Sequence, residues 1–441
     1  MRRFFAGAAS GVLPQACKPA CRLFHWLPRG AFVSLCADQV AAKDPGVRFG
    51  REMLQHWALD PADVYLNHGT FGVTPKRVMA AQQALRERIE RHPARFLGRE
   101  LMSLAAQPPS QPTLLRSAAN QVGAFLGASG DDIVFVDNAS SGVNAVLRSL
   151  RLQPGDQIVL FDSAYGAVVR TADFVARQHG ARVVTVPLPF PVADPSTCIA
   201  ALAAALTPRT RIAILDHISS ETALVMPLAQ MAALCREQGV PVLADGAHAP
   251  GAIHVDIPML GVDWYVANLH KWAFAPRACG VLWAGPSRRE GLHPNVISWG
   301  LDVGWHQEFE WTGTRDPTPF LCAPDGIAFI TGFLGTEAMR EHNHGLAWQA
   351  ARMLGERWGL PWRTPESMVG CMAAVPLPAQ LGSDRAAAER LKDWLFFERR
   401  IELSLFARAG RLWARVATQV YNELGDIQRF AEAIDDHCAL H

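Results

Sequence analysis

Two residues carry the plainest chemistry in this chain: Lys271, in Val-Ala-Asn-Leu-His-Lys-Trp, and Asp245, in Ala-Asp-Gly-Ala-His. Each follows a short apolar run of the kind that forms a buried strand, so both side chains are expected at strand ends. Lysine is scarce, with only Lys18, Lys43, Lys76, Lys271 and Lys392 in an otherwise arginine-rich complement. A lysine amine beside an apolar strand is costly to bury unless it reacts, and the reaction that fits is a Schiff base with an aldehyde.

Pyridoxal phosphate supplies such an aldehyde. A carboxylate at Asp245 beside its ring nitrogen would keep that nitrogen protonated and make the ring a better electron sink. The ordinary alternatives are a strand-end lysine that snorkels to solvent and a strand-end aspartate that caps the next turn. His248 could hydrogen-bond the cofactor's phenolic oxygen or assist proton transfer, and His270 could help hold the phosphate. Ser140 and Ser141 follow Ile-Val-Phe-Val and open Gly-Val-Asn-Ala-Val-Leu, so they stand where a helix N-terminus would bind an anion. A serine cap with no ligand is the alternative there. Tyr165 could stack on the pyridine ring, or be a plain turn tyrosine. Asn67 and His68, in the glycine-rich loop Asn-His-Gly-Thr-Phe-Gly, are candidate substrate-binding residues.

These residues need a scaffold that brings strand ends together. A short helix is expected from about residue 51, then the loop 67–72 and a long amphipathic helix from 74 to 91. Helices at 114–126, 142–150, 168–178, 196–205 and 228–238 precede strands at 132–136, 157–161, 181–186, 210–216 and 241–244. Further strands are expected at 264–267 and 280–284. Such alternation implies βαβ units and a mainly parallel sheet, whose ligand site lies at the carboxyl ends of its strands. After 325 the pattern changes to a long helix, a strand at 372–375 and a closing helix at 425–437. The expected organisation is a poorly ordered extension over 1–48, a large α/β domain over 49–325 that includes the segment 49–111, and a small α+β domain over 326–441.

A formal net charge of +1 supplies no field to recruit nucleic acid or an anionic membrane, and no apolar run reaches membrane-helix length. The cysteines are odd in number and lack the dense spacing of a disulfide-stapled domain, which favours a reducing cytoplasm. Cys17, Cys21, His25 and Cys36 match no familiar zinc spacing, and no metal is expected. The first acid of the chain is Asp38, and Arg2, Arg3, Lys18, Arg22 and Arg29 precede it. The apolar stretch 4–13 is broken by glycines and Ser10, unlike a signal peptide.

Taken together, Asn-Ala-Ser-Ser-Gly-Val-Asn, Ala-Asp-Gly-Ala-His-Ala-Pro-Gly, Asn-Leu-His-Lys-Trp, Trp-Thr-Gly-Thr-Arg-Asp-Pro and Ala-Arg-Val-Ala-Thr-Gln-Val-Tyr-Asn resemble the class V aminotransferase family. More narrowly they resemble its isopenicillin N epimerase-like branch, over roughly residues 50–437. The resemblance implies a fold-type I pyridoxal-phosphate enzyme, with a seven-stranded-type sheet sandwiched by helices. It also implies a homodimer with shared active sites. Lys271 would then form the Schiff base, Asp245 would pair with the ring nitrogen, and Ser140, Asn268 and His270 would meet the phosphate. Tyr165 would stack on the ring, where cysteine desulfurase relatives have a histidine. Gly313 and Thr314 would reach the neighbouring subunit's phosphate, and Arg415 would clamp the substrate carboxylate. Many relatives carry glutamine where His248 stands and threonine where Ser140 stands. Desulfurases need a mobile catalytic cysteine, whereas Cys371 precedes an apolar segment that reads as a buried strand.

The chemistry so implied occurs at the α-carbon of an amino-acid substrate, with epimerase, aminotransferase, and desulfurase-like or C–S lyase outcomes all open. The rival of another class is a catalytically silent binding or dimerisation module on the same fold, which would predict decay of these residues.

Overall fold

The structure, a computed structural model, describes residues 47–103 and 111–440. The expectations for residues 1–46, with Cys17, Cys21, His25 and Cys36, lie outside them. Strand β1 (Val64–Tyr65) comes first. Strands β2 (Ile133–Val136), β3 (Gln157–Phe161), β4 (Arg182–Val186), β5 (Thr210–Asp216), β6 (Val242–Asp245), β7 (Trp264–Asn268) and β8 (Gly280–Ala284) form a seven-stranded sheet. Its order is β2-β8-β7-β6-β5-β3-β4. Strand β8 runs antiparallel to both neighbours, and the other pairings are parallel, so the expected α/β class and mainly parallel sheet are present.

Alternate residues of each strand serve two cores. Ala213, Leu215, Val242, Ala244, Tyr265 and Ala267 pack with Leu115 and Val122 of the helix Leu114–Phe125 and with Met231 of the helix Leu228–Glu237. Ile212, Ile214, Leu243, Trp264 and Val266 face the other way, onto Val143 and Val146 of the helix Ala139–Ser149 and Ala172 and Val175 of the helix Gly166–His179. Helices on both faces explain why these strands read as continuous apolar runs. The period of two then sends Asp216, Asp245 and Asn268, each the last residue of its strand, to this second face.

Strands β9 (Met372–Pro376), β10 (Ile401–Glu402), β11 (Ser404–Arg408) and β12 (Arg411–Ala417) follow. β11, β12 and β9 form an antiparallel sheet, and β10 pairs in parallel with β1. Leu346, Leu354, Leu391, Leu395, Phe430 and Ile434, from the helices Thr336–Arg357, Arg385–Arg399 and Leu424–Leu440, share a core with Leu412, Ala414 and Val416 of β12. Val64 and Leu66 from the N-terminal segment join it. Arg415 therefore projects from the opposite face of β12, the side of Trp413 and Ala417.

Three expectations need revision. The loop 67–72 contains a short helix, His68–Phe71, closed by Gly72. The helix expected at 142–150 starts earlier, at Ala139, because the Asn138 side chain accepts the Ser141 N–H as its N-cap. The helix Arg385–Arg399 and the strands β10, β11 and β12 were not foreseen. Strands β11 and β12 are joined by Ala409-Gly410, both at positive φ, a turn that lacks the Asn-Gly or Asp-Gly signature of a hairpin.

Candidate active site

The carboxyl ends of β5, β6 and β7 converge on the loop that carries Lys271. Asp245 closes β6 and is buried, with one carboxylate oxygen accepting the Ala247 N–H at 2.9 Å. Lys271 lies just beyond β7, 9% exposed, and its Nζ is hydrogen-bonded to His248 Nε2 at 3.0 Å. Burial lowers the Lys271 pKa, and Arg415 adds to this against the opposing pull of Asp245, leaving it at about 7. The amine is thus half neutral near neutrality, the state a nucleophile needs.

His68 and Gly72 fix the backbone at this point. The His68 Nε2–H donates to the Lys271 carbonyl at 3.0 Å, and its Nδ1 accepts from the Tyr421 hydroxyl at 2.8 Å. Burial holds the His68 pKa down at about 4, so the ring is neutral and this tautomer satisfies both partners. His68, expected to bind substrate, is fully buried with both nitrogens engaged in contacts that hold the lysine loop. Gly72 has φ +66, and a Cβ there would lie 1.9 Å from the His270 carbonyl oxygen. Only glycine fits that approach.

Arg415 is a buried guanidinium that meets neutral groups alone. Its Nη1 donates to the Ser220 carbonyl at 2.6 Å, and its Nη2 donates to Thr70 Oγ1 at 2.6 Å and Asn67 Oδ1 at 3.3 Å. Its Nε has no partner, and no carboxylate pairs with it among the described residues. Burial pushes its pKa down to about 10, against the more distant pull of the Glu221 carboxylate. A buried cation without a contact ion pair is costly, and an incoming carboxylate would reduce that cost. Asn67, expected to bind substrate, instead uses its side chain on Arg415, Thr70 and Glu402.

The helix Ala139–Ser149 points its N-terminus at the same region, and the two serines at that end differ. Ser141 turns both its N–H and its hydroxyl to Asn138 Oδ1, at 2.9 and 3.3 Å. Asn268 Oδ1 accepts the Ala139 N–H at 2.9 Å, tying the end of β7 to the helix. That leaves Ser140 with the donors available to an anion. His270 donates from Nδ1 to the Cys279 carbonyl at 3.0 Å, and burial holds its pKa at about 4. In that neutral form its Nε2 presents a lone pair, so it can donate to a phosphate only after taking up a proton. Tyr165 sits at the N-cap of Gly166–His179, 50% exposed. Gly313 and Thr314 lie next to Arg315, which pairs with Asp137 at 2.9 Å.

Sequence reasoning missed Thr70, Tyr421 and Asp216. Asp216 closes β5 as Asp245 closes β6, and its signal, Leu-Asp-His after an apolar run, was as visible as that of Ala-Asp-Gly.

Residues 64–366 match the family described as aminotransferase class V. The chain belongs to the class V aminotransferase family. Among its relatives, isopenicillin N epimerase of Streptomyces clavuligerus is 32% identical over 86% of this chain and 95% of its own length. L-cysteine desulfhydrase of Arabidopsis thaliana is 30% identical over 84% of this chain and 87% of its own. Among solved structures, the cystine C–S lyase C-DES superposes with a TM-score of 0.68 at 22% identity, covering 85% of this chain and 97% of that one. The fold is therefore that of the pyridoxal-phosphate class V enzymes.

For this class V enzyme the cofactor is pyridoxal phosphate, and its residues fit that group. The His248 Nδ1 is buried without a partner, a donor position beside the lysine that a phenolic oxygen would satisfy. Ser163 Oγ, on the loop that leads to Tyr165, is likewise buried and unpartnered. Together with the Ser140 amide and the Asp245 carboxyl, these match the donor and acceptor pattern of a phosphorylated pyridine aldehyde. Cys371, by contrast, is buried, donates from Sγ to the Ala252 carbonyl at 3.2 Å, and has its pKa pushed up to about 12 by burial. It is not a mobile nucleophile. Among the described residues no cluster of three or more His, Cys, Asp or Glu could hold a metal ion, and no single helix is long and apolar enough to cross a membrane.

Proposed function

We propose that the protein removes the α-proton of an amino-acid-type substrate and returns it as an isopenicillin N epimerase-like enzyme does, through Lys271. The observation that carries the reading is a buried amine poised near neutrality together with the buried guanidinium of Arg415, which forms no contact ion pair among the described residues. One suits the α-carbon and the other the α-carboxylate. Pyridoxal phosphate, when bound beside Lys271, would supply the electron sink. Arg415 would orient the carboxylate, Asp245 would keep the ring nitrogen protonated, and the Ser140 amide and Asn268 would hold the phosphate. His248 touches Lys271, so the acid on the far face falls to Tyr165.

A second reading, β-elimination from a cysteine-type substrate, is supported by the similarity to the Arabidopsis desulfhydrase. It needs no thiol relay, in keeping with the inert Cys371. The same proposal includes a homodimer, in which Gly313 and Thr314 reach the partner's cofactor phosphate. The exposed apolar run Val296, Ile297, Trp299, Leu301 and Val303 supports it, because Asn295 joins that run to the Ser141 carbonyl at 2.9 Å. It further includes a cytoplasmic location, since among the described residues Cys198, Cys235, Cys279, Cys322, Cys371 and Cys438 form no disulfide. The division into a large domain over 49–325 and a small one over 326–441 belongs to it too.

The test is incubation of the cofactor-loaded protein with L-amino acids and small peptides in deuterated water. α-Deuterium exchange with inverted chirality is expected. Pyruvate and sulfide would establish the second reading instead, and the absence of α-exchange or product from any substrate would end both.

A further inference from the structure

The strand register places a second carboxyl beside Asp245. Strands β5 and β6 are parallel and pair Asp216 with Asp245, just as they pair Ile214 with Leu243. Neighbouring strands lie about 4.8 Å apart, and paired residues project to the same face. Ile214 and Leu243 share one core, so both carboxyls emerge on that side, at the carboxyl edge of the sheet. Both are buried. Among the described residues neither forms an ion pair within 4 Å, and no hydrogen-bond donor reaches the Asp216 carboxyl, whereas Asp245 accepts the Ala247 N–H.

We infer that Asp216 is a positioning residue that carries the single proton shared by the two carboxyls and donates it in a hydrogen bond to Asp245. Two carboxyls side by side in a buried site do not both ionise, and the pair titrates in separate steps. The surrounding charges decide which one keeps the proton. Burial raises both carboxyls, but the Ala247 N–H and Lys271 pull Asp245 back toward the charged form, while Asp216 is raised further by Asp245 itself. The Tyr265 hydroxyl, on β7, is turned to His217 Nδ1 at 2.9 Å, and burial holds His217, His248 and His270 neutral. Arg415 bears on Lys271 and His248. The Asp216 O–H then leaves Asp245 anionic and its free oxygen directed to the cofactor's ring nitrogen. This rests on Asp245 as the partner of that nitrogen.

Two measurements on the full chain test it. In the apoprotein at pH 7, labelled with carboxyl-13C aspartate, infrared spectra should show the carbonyl band of a buried protonated acid, shifted by the label and missing from Asp216→Asn. Pyridoxal phosphate affinity should fall about tenfold or more in Asp216→Val, with a shift of the visible band, and be restored to within about threefold by Asp216→Asn, whose amide still donates. A role in folding alone would lower the stability of both variants without separating their affinities. No acid band in the wild type, a band that persists in Asp216→Asn, or equal affinities for the two variants would overturn the assignment. If the valine variant does not fold, the infrared comparison decides. Wild-type protein that takes up no cofactor would overturn the ring-nitrogen reading itself, whereas uptake without an acid band overturns only the role of Asp216.

Discussion

The Nζ of Lys271 lies 3.0 Å from Nε2 of His248, on a lysine whose pKa burial has brought down to about 7. With the amine as donor, the imidazole proton sits on the buried, unpartnered Nδ1. The contact thus links the nucleophile to a donor aimed into the site.

Replacing this lysine should stabilise the empty protein. In the folded chain its pKa is depressed from 10.5 to about 7, so the unfolded chain binds more protons between those values. The contribution of Lys271 to stability therefore improves as pH rises through that window and is least favourable at and below neutrality. Lys271→Met apoprotein should melt about 2 °C or more above wild type at pH 7, with the difference shrinking toward pH 10. It should also show no visible Schiff-base band. A lower Tm at pH 7, or a band that survives, contradicts the placement of the amine.

Arg415 should discriminate by geometry as well as charge. Arg415→Lys keeps the cation but loses the planar fork that meets Ser220, Thr70 and Asn67, and kcat/KM for an amino acid should fall about 100-fold. The loss should nearly vanish for the corresponding amino-acid amide. An equal loss on both substrates would mean that Arg415 does not grip the carboxylate.

His270 should take up a proton when a phosphate binds. Its pKa of about 4 reflects burial first, and a phosphate anion beside Nε2 would raise it. Binding of pyridoxamine phosphate, which cannot join Lys271, should therefore weaken as pH rises through the raised value. Calorimetry in buffers of different ionisation enthalpy should detect the uptake, and His270→Gln should abolish it. No buffer dependence in the wild type would remove His270 from the phosphate site.

Gly246 should tolerate no side chain. A Cβ there would lie 2.1 Å from Cζ of Tyr265, which is wholly buried behind Asp245. Gly246→Ala should cost about 2 kcal/mol or more and reduce cofactor retention, and Tyr265→Ala in the same chain should recover part of the stability. Chemical denaturation reads both, and an innocuous Gly246→Ala would show that the strand end shifts freely.

Much of the fold was legible because the central strands announce themselves. Ile-Val-Phe-Val, Val-Leu-Ala-Asp and Trp-Tyr-Val-Ala-Asn are apolar runs bounded by turns, and they proved to be β2, β6 and β7. Strands β11 and β12 were hidden. They mix arginines with apolar residues, and their turn, Ala409-Gly410, adopts its positive φ values without the usual asparagine.

The residue types and their local spacing were enough to single out Lys271, Asp245 and the helix start at Ser140 as the candidate site, because each depends on a strand end or a helix end. Relations between distant segments were decided by the tertiary structure alone. His68 looked like a ligand-binding loop histidine until packing engaged both its nitrogens with Lys271 and Tyr421. Arg415 gained its significance from Ser220, Thr70 and Asn67, none of them near it in sequence. Asp216 became a partner of Asp245 only through the register of β5 on β6. Burial and proton sharing are properties of such neighbours, and a linear pattern does not contain them.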